Sequence, residues 1–276
     1  MELQRREAGF ELKCSRNILI IRFFILILPL SAVIITHNAA RQLAECLESV
    51  AFCDEVLVVD SGSADGTIAL AQSHGARIIE QSWLGYGPQK QFAVGQARHD
   101  WVLCLDADER VSPELRHGIE NQMRDPRALI YEMARCNRFL GRWLKHGEGY
   151  PDWSKRLFDR RSAGWSDDLV HEKVLASGKP VRIAGDLLHD SAETLELYLD
   201  KQNRYTSLQA EQLFANGRRA NVLHLLLSPL ARFLKFYVFR LGFLDGMPGL
   251  VHVCIGCMNS FNKHAKLISL QNKSNL

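Results

Sequence analysis

The chain has 276 residues, of which 47% are hydrophobic and 24% charged, a balance that excludes a disordered or fibrous protein. That length allows one large α/β domain with an appendage. The net charge of +3 gives no reason to expect a nucleic-acid partner. The seven cysteines form no dense or regular framework, which predicts reduced thiols in a cytosolic protein.

The first 29 residues form an apolar N-terminal extension. Residues 18–35 are nearly all apolar but are interrupted by Arg22, Pro29 and Ser31. A stretch of about 20 apolar residues can cross a bilayer, so a signal anchor is one interpretation. Residues 32–36 fit a buried first strand better, and the remaining apolar residues are then too few for a span. We therefore predict a peripheral extension over residues 1–29.

From residue 30 onward, β-branched runs alternate with helical patterns, which is typical of βαβ units and a parallel sheet. Strands are predicted over residues 32–36, 55–60, 77–80 and 101–105. Helices are predicted over residues 41–50, from residues 63–66 to near Gly75, and over residues 89–97. Such elements make half of a doubly wound sheet, which binds ligands at the carboxyl ends of its strands. Residues 130–190 are rich in Arg, Trp and Gly. This composition predicts short mixed strands and longer loops, as expected of a substrate-binding half.

Polar residues follow three of the predicted strands, in Thr36-His-Asn38, Asp60-Ser-Gly62 and the DxD motif Asp106-Ala-Asp108. Two carboxylates separated by one residue at a strand end can bind the same hard divalent cation. The oxygens of a diphosphate then complete the coordination of that cation. The alternative is that Asp106 or Asp108 caps a helix that starts near Pro113.

The carboxylate of Asp60 ends the second strand, where it can accept hydrogen bonds from a base N–H or a ribose hydroxyl. For Asp65, which precedes the next helix, capping is the favoured role. The sequence contains neither GxGxxG nor GxxxxGK[ST], which argues against a dinucleotide or P-loop site.

Three segments resemble, in order and spacing, the family 2 glycosyltransferases of GT-A fold: residues 31–38 (SAVIITHN), 55–67 (EVLVVDSGSADGT) and 101–109 (WVLCLDADE). Within that family, four shorter segments are similar to the lipopolysaccharide core β-glucosyltransferases, which add glucose to an inner-core heptose. These are residues 83–86 (WLGY), 90–93 (KQFA), 156–158 (RLF) and 170–172 (VHE). The resemblance covers roughly residues 30–265.

The resemblance implies that Asp60 contacts the uracil or ribose, that Asp106 contacts the ribose or the metal, and that Asp108 binds the metal. The further residues expected to bind the nucleotide sugar are Thr36, Asn38, Lys90 and Arg156. Of these, Lys90 and Arg156 are suited to neutralising phosphate. One departure concerns the first motif, where Ala39 and Ala40 stand although an acidic residue commonly follows the asparagine.

Residues 165–172 (WSDDLVHE) contain the expected catalytic base. Inverting transfer needs a base that takes the proton of the acceptor hydroxyl as it attacks the anomeric carbon, and a carboxylate suits this role. Glu172 is the preferred base and Asp168 its rival; alternatively, these acids form a solvated face. The resemblance also implies a further metal ligand, because GT-A enzymes often supply a late histidine, and His189, which follows an apolar run, is the expected residue. A structural hydrogen bond is the alternative.

The C-terminal region is apolar and basic. An amphipathic helix is predicted over residues 193–216, and apolar segments over residues 222–258 are broken by Pro229, Gly242, Pro248 and Gly249. Residues 201–276 carry ten Lys or Arg and two acidic residues, an excess of +8, which leaves −5 for residues 1–200. Arg232, Lys235 and Arg240 are spaced to place basic groups on anionic lipid. The alternative is a helix packed on the body or in a dimer interface.

Three regions are therefore predicted: an extension over residues 1–29, a GT-A domain over residues 30–192 and a helical region over residues 193–276. We expect an inverting glycosyltransferase that uses Mg²⁺ or Mn²⁺ to move glucose from UDP-glucose to a lipopolysaccharide inner-core acceptor. A polyprenyl-linked or capsule intermediate is the alternative acceptor. A non-catalytic nucleotide-sugar-binding or membrane-scaffold protein is the alternative of another class. The expected location is cytoplasmic and peripheral, on the inner face of the inner membrane.

Overall fold

The computed structural model describes residues 7–8, 14–15, 18–19, 25–168, 172–191 and 194–273. Four two-residue strands near the N-terminus pair antiparallel, β1 (Glu7–Ala8) with β4 (Ile25–Leu26) and β2 (Cys14–Ser15) with β3 (Ile18–Leu19). Most of the predicted extension over residues 1–29, and residues 170–171 of the VHE motif, lie outside the described residues. The peripheral position of the extension therefore stays a prediction.

Four parallel strands form the first half of the main sheet, in the order β7-β6-β5-β8. They are β5 (Leu30–Thr36), β6 (Glu55–Asp60), β7 (Arg77–Glu80) and β8 (Trp101–Asp106). Thr36 is in register with Asp60, and Ile35 with Asp106, so the carboxyl ends of these strands meet at one edge. The predicted half of a doubly wound sheet is confirmed.

The second half of the sheet is mixed. It continues from β8 through β12, β10 and β15 to β9, and β11 pairs with β10. Strand β12 runs antiparallel to β8. The bounds of these strands are β9 (Glu109–Val111), β10 (Ile130–Phe139), β11 (Arg142–Trp143), β12 (Asp152–Asp159) and β15 (Val181–His189). A separate antiparallel pair consists of β13 (Ala163–Trp165) and β14 (Val174–Ala176).

Seven α-helices occur in the described chain: α1 (Ala40–Ser49), α2 (Thr67–Ser73), α3 (Tyr86–Gln96), α4 (Pro113–Arg124), α5 (Leu195–Ala215), α6 (Val222–Phe233) and α7 (Gly246–Lys273). A π-helical segment (Leu234–Phe239) and a 3₁₀ turn (Gly242–Asp245) separate α6 from α7.

Two predicted boundaries are wrong for the same reason. Helix α3 begins three residues before the predicted start, and α7 runs through Pro248 and Gly249. Pro88 and Pro248 each occupy the first turn of their helix, where a backbone N–H has no helical partner and proline is tolerated. Pro229 lies inside α6, so of the predicted breaks only Gly242 separates two helices.

Successive side chains of the parallel strands enter opposite apolar layers, as the two-residue period of a strand requires. Ile34 and Leu103 are buried on the face covered by α1, α2 and α4. Val33 and Val102 are buried on the other face, where α3 packs through Ala93 and Val94. The first half of the sheet is therefore a layer enclosed by helices on both faces, which confirms the predicted α/β class.

The chain divides into two compact units. The first comprises the chain up to Ala134 together with Trp153–Leu188, and the second comprises Arg135–Asp152 together with His189–Leu276. In the second unit, α7 packs against α5 and α6. There the Asp245 carboxylate accepts hydrogen bonds from the backbone N–H groups of Lys145 and His146. The predicted boundaries at residues 29/30 and 192/193 stay predictions.

Candidate active site

The carboxylate of Asp106, the last residue of β8, binds two cations. The ammonium of Lys90 lies 2.9 Å from Oδ1, and the guanidinium Nη2 of Arg156 lies 2.8 Å from Oδ2. Lys90 comes from α3 and Arg156 from β12, so the contact joins three elements of the first unit. Both predicted phosphate-binding residues are thus placed beside the predicted metal-binding motif.

Each of these cations also binds a second carboxylate. The ammonium of Lys90 lies 2.8 Å from Oε1 of Glu172, and Nη2 of Arg156 lies 2.5 Å from Oε1 of Glu109. We call these five residues, Glu172, Lys90, Asp106, Arg156 and Glu109, the charge chain. The side chains of Lys90 and Arg156 are each 6% exposed and that of Glu109 is fully buried. Charges this deeply buried are tolerated because each has a partner of opposite sign.

The indole ring of Trp165 lies against both cations. The ammonium of Lys90 is 4.7 Å from the ring centroid and the guanidinium carbon of Arg156 is 5.7 Å from it, within the range of cation–π attraction. Burial alone would lower the pKa of Arg156, but the charges of Glu109 and Asp106 outweigh it and raise that pKa. Within the described residues, Nε of Arg156 is buried without a hydrogen-bond partner. That nitrogen is a donor suited to a phosphate oxygen.

Asp108 lies in the turn between β8 and β9 and is partly exposed. Burial raises the pKa of the Cys46 thiol, and the negative charges of Glu109, Asp108 and Asp106 raise it further. Among the described residues, no three His, Cys, Asp or Glu side chains are grouped to hold a metal ion. Two carboxylates still fit a hard divalent cation, because Mg²⁺ in such sites takes its remaining ligands from water and substrate phosphates.

The alternative role of the DxD motif, as a cap of the following helix, is wrong. Helix α4 begins at Pro113, and its N-cap is Ser112, whose hydroxyl accepts a hydrogen bond from the backbone N–H of Leu115. Neither Asp106 nor Asp108 is therefore needed to start this helix.

The carboxylate of Asp60 is fully buried and accepts four hydrogen bonds from within the protein. Oδ1 accepts from the N–H groups of Gly62 and Ser63, and Oδ2 accepts from the hydroxyls of Thr36 and Ser63. Burial would raise the pKa of Asp60, but these hydrogen bonds outweigh it and hold that pKa below its ordinary value. Thr36 and Asp60 thus shape the loop after β6. Their contact with the nucleotide stays a prediction.

Asn38 and Asp65 connect the loops after β5 and β6. Asn38 adopts a left-handed conformation with φ of 49°, and its side-chain oxygen accepts a hydrogen bond from the N–H of Ala64. Asp65 accepts hydrogen bonds from the N–H of Thr67, at the start of α2, and from that of Ala40, at the start of α1. The predicted capping position of Asp65 is wrong by one residue, because Gly66 is the N-cap of α2, but the Asp65 carboxylate does bind the first N–H of both helices. Asn38 is exposed at this edge, where its nucleotide contact stays a prediction.

The structure separates the two candidate bases. Glu172 belongs to the charge chain and its side chain is 17% exposed. Asp168 is exposed, and its carboxylate accepts a hydrogen bond from the hydroxyl of Ser166. The two acids therefore do not share one solvated face. Of the two, Glu172 is linked to Asp106, because both carboxylates contact the ammonium of Lys90.

His189, the third predicted metal ligand, belongs to the second unit. Its ring nitrogen Nδ1 lies 2.8 Å from the side-chain oxygen of Asn137, so the structural hydrogen bond considered as the alternative is present. Metal binding by His189 stays a prediction.

Three residues of the site are not identified by the sequence patterns. Glu109, a member of the charge chain, directly follows the DxD motif and is fully buried. Its position next to an apolar strand is the signal that could have identified it. Trp165 is the first residue of the segment that contains the candidate bases. Gly87 lies before the predicted start of α3.

Gly87 determines where the loop with the candidate bases lies. Its N–H donates a 3.2 Å hydrogen bond to the backbone carbonyl of Asp168. A Cβ atom added at Gly87 would lie 2.2 Å from the carbonyl oxygen of Ser166 and 2.6 Å from that of Asp168. Only glycine therefore allows this main-chain contact.

Comparison with known proteins decides the family. A family model described as Glycosyl transferase family 2 matches residues 31–173, more than half of the chain. The lipopolysaccharide core biosynthesis glycosyltransferase LpsC of Rhizobium meliloti (strain 1021) is 32% identical over 255 residues, which cover 86% of this chain and 94% of LpsC. The chain belongs to glycosyl transferase family 2.

A second relative agrees with this membership. A glycosyltransferase of Rickettsia prowazekii (strain Madrid E) is 32% identical over 258 residues, which cover 89% of this chain and 88% of that protein. A glucosyl-3-phosphoglycerate synthase from Mycobacterium tuberculosis, solved with Mn²⁺, UDP and glucosyl-3-phosphoglycerate, is 21% identical with a TM-score of 0.34. That match covers 40% of this chain and 44% of the synthase, less than half of its length. Membership of glycosyl transferase family 2 makes the protein a transferase, and the central sheet with its covering helices agrees with the expected GT-A fold.

Replacing Gly87 tests the position of the base loop. We expect Gly87→Ala to reduce the rate of sugar transfer by roughly 100-fold, because a displacement of about 1 Å at a reacting group costs that much. The matched control is Gly95→Ala in the same helix, where an added Cβ meets nothing within 4 Å. Thermal melting of both variants separates displacement from unfolding. Equal transfer rates for the two variants would contradict the assigned role of Gly87.

Proposed function

We propose that this glycosyltransferase moves glucose from UDP-glucose, with inversion, to a hydroxyl of a lipopolysaccharide inner-core acceptor. The observation that carries the proposal is the charge chain, in which Lys90 binds both Asp106 of the DxD motif and the candidate base Glu172. A donor diphosphate beside the DxD motif and an acceptor hydroxyl beside Glu172 are then within reach of one another. The role printed for LpsC supports a lipopolysaccharide core acceptor.

The part of the site that we assign to the donor contains two positively charged side chains. Lys90 and Arg156 are buried cations, and Nε of Arg156 has no hydrogen-bond partner among the described residues. Hydrogen bonds from ionised donors to phosphate are strong, and burial strengthens them further. We assign these two residues to the diphosphate.

We assign a divalent cation, Mg²⁺ or Mn²⁺, to Asp108 and Asp106. Such an ion would neutralise the charge that develops on the departing diphosphate. Both oxygens of Asp106 contact cationic side chains, which compete with a metal ion for them, so we assign Asp108 as the firmer ligand.

Glu172 is assigned as the base. The acceptor oxygen attacks the anomeric carbon on the face opposite the diphosphate, and the hydroxyl proton passes to a carboxylate oxygen of Glu172. The bond between the anomeric carbon and the diphosphate oxygen breaks, and its electron pair leaves with the nucleoside diphosphate. Oε1 lies 2.8 Å from the ammonium of Lys90, so Oε2 is the oxygen that we assign to accept the proton.

A metal-dependence experiment tests the donor assignment. We expect the purified protein to hydrolyse UDP-glucose with Mn²⁺ or Mg²⁺, to lose this activity in EDTA and to regain it when metal is restored. Asp108→Ala should lower hydrolysis at least 100-fold, because it removes a ligand of the charge-stabilising ion. The control is Asp200→Ala, on the exposed face of α5. A hydrolysis rate that changes neither when metal is removed nor when Asp108 is replaced would refute the metal site. A panel of other nucleotide sugars checks the donor.

A second pair of variants tests the base. Glu172→Gln keeps the shape of the side chain but cannot accept the proton, so transfer should fall by roughly 10²- to 10⁴-fold. Calorimetric binding of UDP-glucose should stay unchanged. Asp168→Asn is the matched comparison on the same loop and should retain transfer. The reverse pattern, with transfer retained by Glu172→Gln and lost by Asp168→Asn, would assign the base to Asp168.

We also propose that the protein binds the surface of an anionic membrane through α6 and the π-helical segment. No residue of α6 is buried, and Leu223, Leu227, Leu230, Leu234 and Val238 are each between 43% and 62% exposed. Their spacing of three or four residues forms one stripe along the helical segment. Within the described chain, Val222–Phe239 is the one segment long and apolar enough to cross a membrane.

The basic residues near this stripe favour a surface position over a span. Lys235 and Arg240 are exposed and suited to anionic headgroups. Arg232, which was also expected to face lipid, instead pairs with Glu148 within the second unit. Two exposed cations beside an apolar stripe fit a helix that lies in the headgroup region. We propose with it a cytoplasmic, peripheral location at the inner membrane, which would bring the protein to a lipid-linked acceptor.

Sedimentation with vesicles tests the membrane assignment. We expect the protein to pellet with phosphatidylglycerol vesicles at low salt and less at high salt, since each basic residue near the surface contributes about 1 kcal/mol. Leu227→Glu combined with Leu230→Glu should abolish pelleting. Leu175→Glu, at a similarly exposed leucine of β14, is the control. A wild-type protein that stays in the supernatant with phosphatidylglycerol at low salt would rule this surface out.

A further inference from the structure

Two large aromatic side chains stand exposed just before and at the start of α3. Trp83 is 49% exposed and Tyr86 is 51% exposed. Their ring centroids are 4.9 Å apart and their planes are nearly perpendicular, at 87°. We call this pair the aromatic corner. Neither residue belongs to the buried apolar clusters of the described chain. An exposed aromatic pair of this size is typical of a binding surface.

Hydrogen bonds from a buried glutamine fix the loop that carries the aromatic corner. Gln89 is fully buried, its side-chain oxygen accepts a hydrogen bond from the N–H of Leu84, and its side-chain nitrogen donates to the carbonyl of Gln81. Gly85 turns the chain with φ of 99°, a conformation that other residues rarely adopt. The loop is therefore fixed before any ligand arrives, which reduces the entropy lost on binding.

The corner also adjoins the residues that carry the proposed chemistry. Tyr86 lies four residues before Lys90 in α3, a spacing that places two side chains on the same side of a helix. Lys90 binds Glu172, and the neighbour of Tyr86, Gly87, binds the backbone of Asp168. Gly87 also lies against the candidate base, since a Cβ atom added to it would be 3.3 Å from Cβ of Glu172. The aromatic corner is therefore a neighbour of Glu172 along α3.

We propose that Trp83 and Tyr86 form a subsite that binds a pyranose ring of the acceptor saccharide. This inference rests on the proposed function, because it takes Glu172 as the base. A pyranose presents a face of C–H groups, which carry a slight positive charge, and aromatic faces are negative. Two perpendicular rings offer one such face and an adjoining wall, and the Tyr86 hydroxyl adds a polar group for a sugar hydroxyl. The subsite recognises the acceptor and takes no part in donor binding.

Steady-state kinetics distinguish this role from a structural one. The probe is a deacylated inner-core oligosaccharide that ends in heptose, with UDP-glucose as donor. Trp83→Ala and Tyr86→Ala should each raise the KM for the oligosaccharide by about threefold to tenfold, the range expected for a lost aromatic contact. The KM for UDP-glucose should not change. Trp83→Phe, which keeps an aromatic face, should restore most of the affinity.

Leu84→Ala is the matched control, since Leu84 lies between the two aromatic residues and is 42% exposed. It should leave both KM values unchanged. An unchanged oligosaccharide KM in both aromatic variants, in a wild-type enzyme that does transfer sugar, would overturn the subsite while leaving the proposed function intact.

A binding measurement covers the case in which the wild type transfers no sugar to this probe. Titration with the oligosaccharide should shift the tryptophan fluorescence of the wild type, and Trp83→Phe should remove most of that shift. A shift that persists in Trp83→Phe, or no shift in the wild type, would overturn the proposal. A wild-type protein that does not hydrolyse UDP-glucose would instead count against the proposed function.

Discussion

Two buried cations require partners of opposite charge, and one carboxylate at the end of β8 serves both. Lys90 from α3 and Arg156 from β12 meet on Asp106, so the parallel half of the sheet, its covering helix and the antiparallel half are tied together at one point. Breaking such a buried pair leaves an uncompensated charge and typically costs about 3–5 kcal/mol. Burial also strengthens the attraction between these cations and a diphosphate that lies beside them, because the protein interior screens charges less than water does. The stability of the fold and the proposed chemistry thus depend on one set of contacts.

The local patterns of the sequence were sufficient for the parallel strands and the DxD motif. Strands β6 and β7 have the predicted bounds, because runs of β-branched residues between turns report strand structure directly. The start of α3 was missed since Pro88 and its neighbouring glycines look like loop residues. The pairing of Glu109 with Arg156 joins residues far apart in sequence, and no short-range pattern reports such a contact.

The carboxylates at strand ends fall into two groups that the sequence could not separate. Asp60 has every oxygen occupied by hydrogen bonds from its own loop, and Asp65 holds two helix starts. At the opposite end of the strands, Glu55 is likewise satisfied within the protein, by Ser31, Arg77 and the N–H of Arg98. The charge chain differs because it combines deep burial with a partly exposed end at Asp106 and Glu172. The proposed chemistry is therefore assigned to one edge of the sheet.

The contact between Gly87 and Asp168 uses a backbone N–H and a backbone carbonyl, so it does not depend on which side chains surround it. Substitutions at Asp167 or at the Asp168 side chain can change the shape and charge that an acceptor meets while the joint itself persists. The loop that carries the two candidate bases can therefore change its side chains and keep its position. A side chain at residue 87, in contrast, would displace this loop whatever the sequence of the loop itself, because it would collide with the main-chain carbonyl groups.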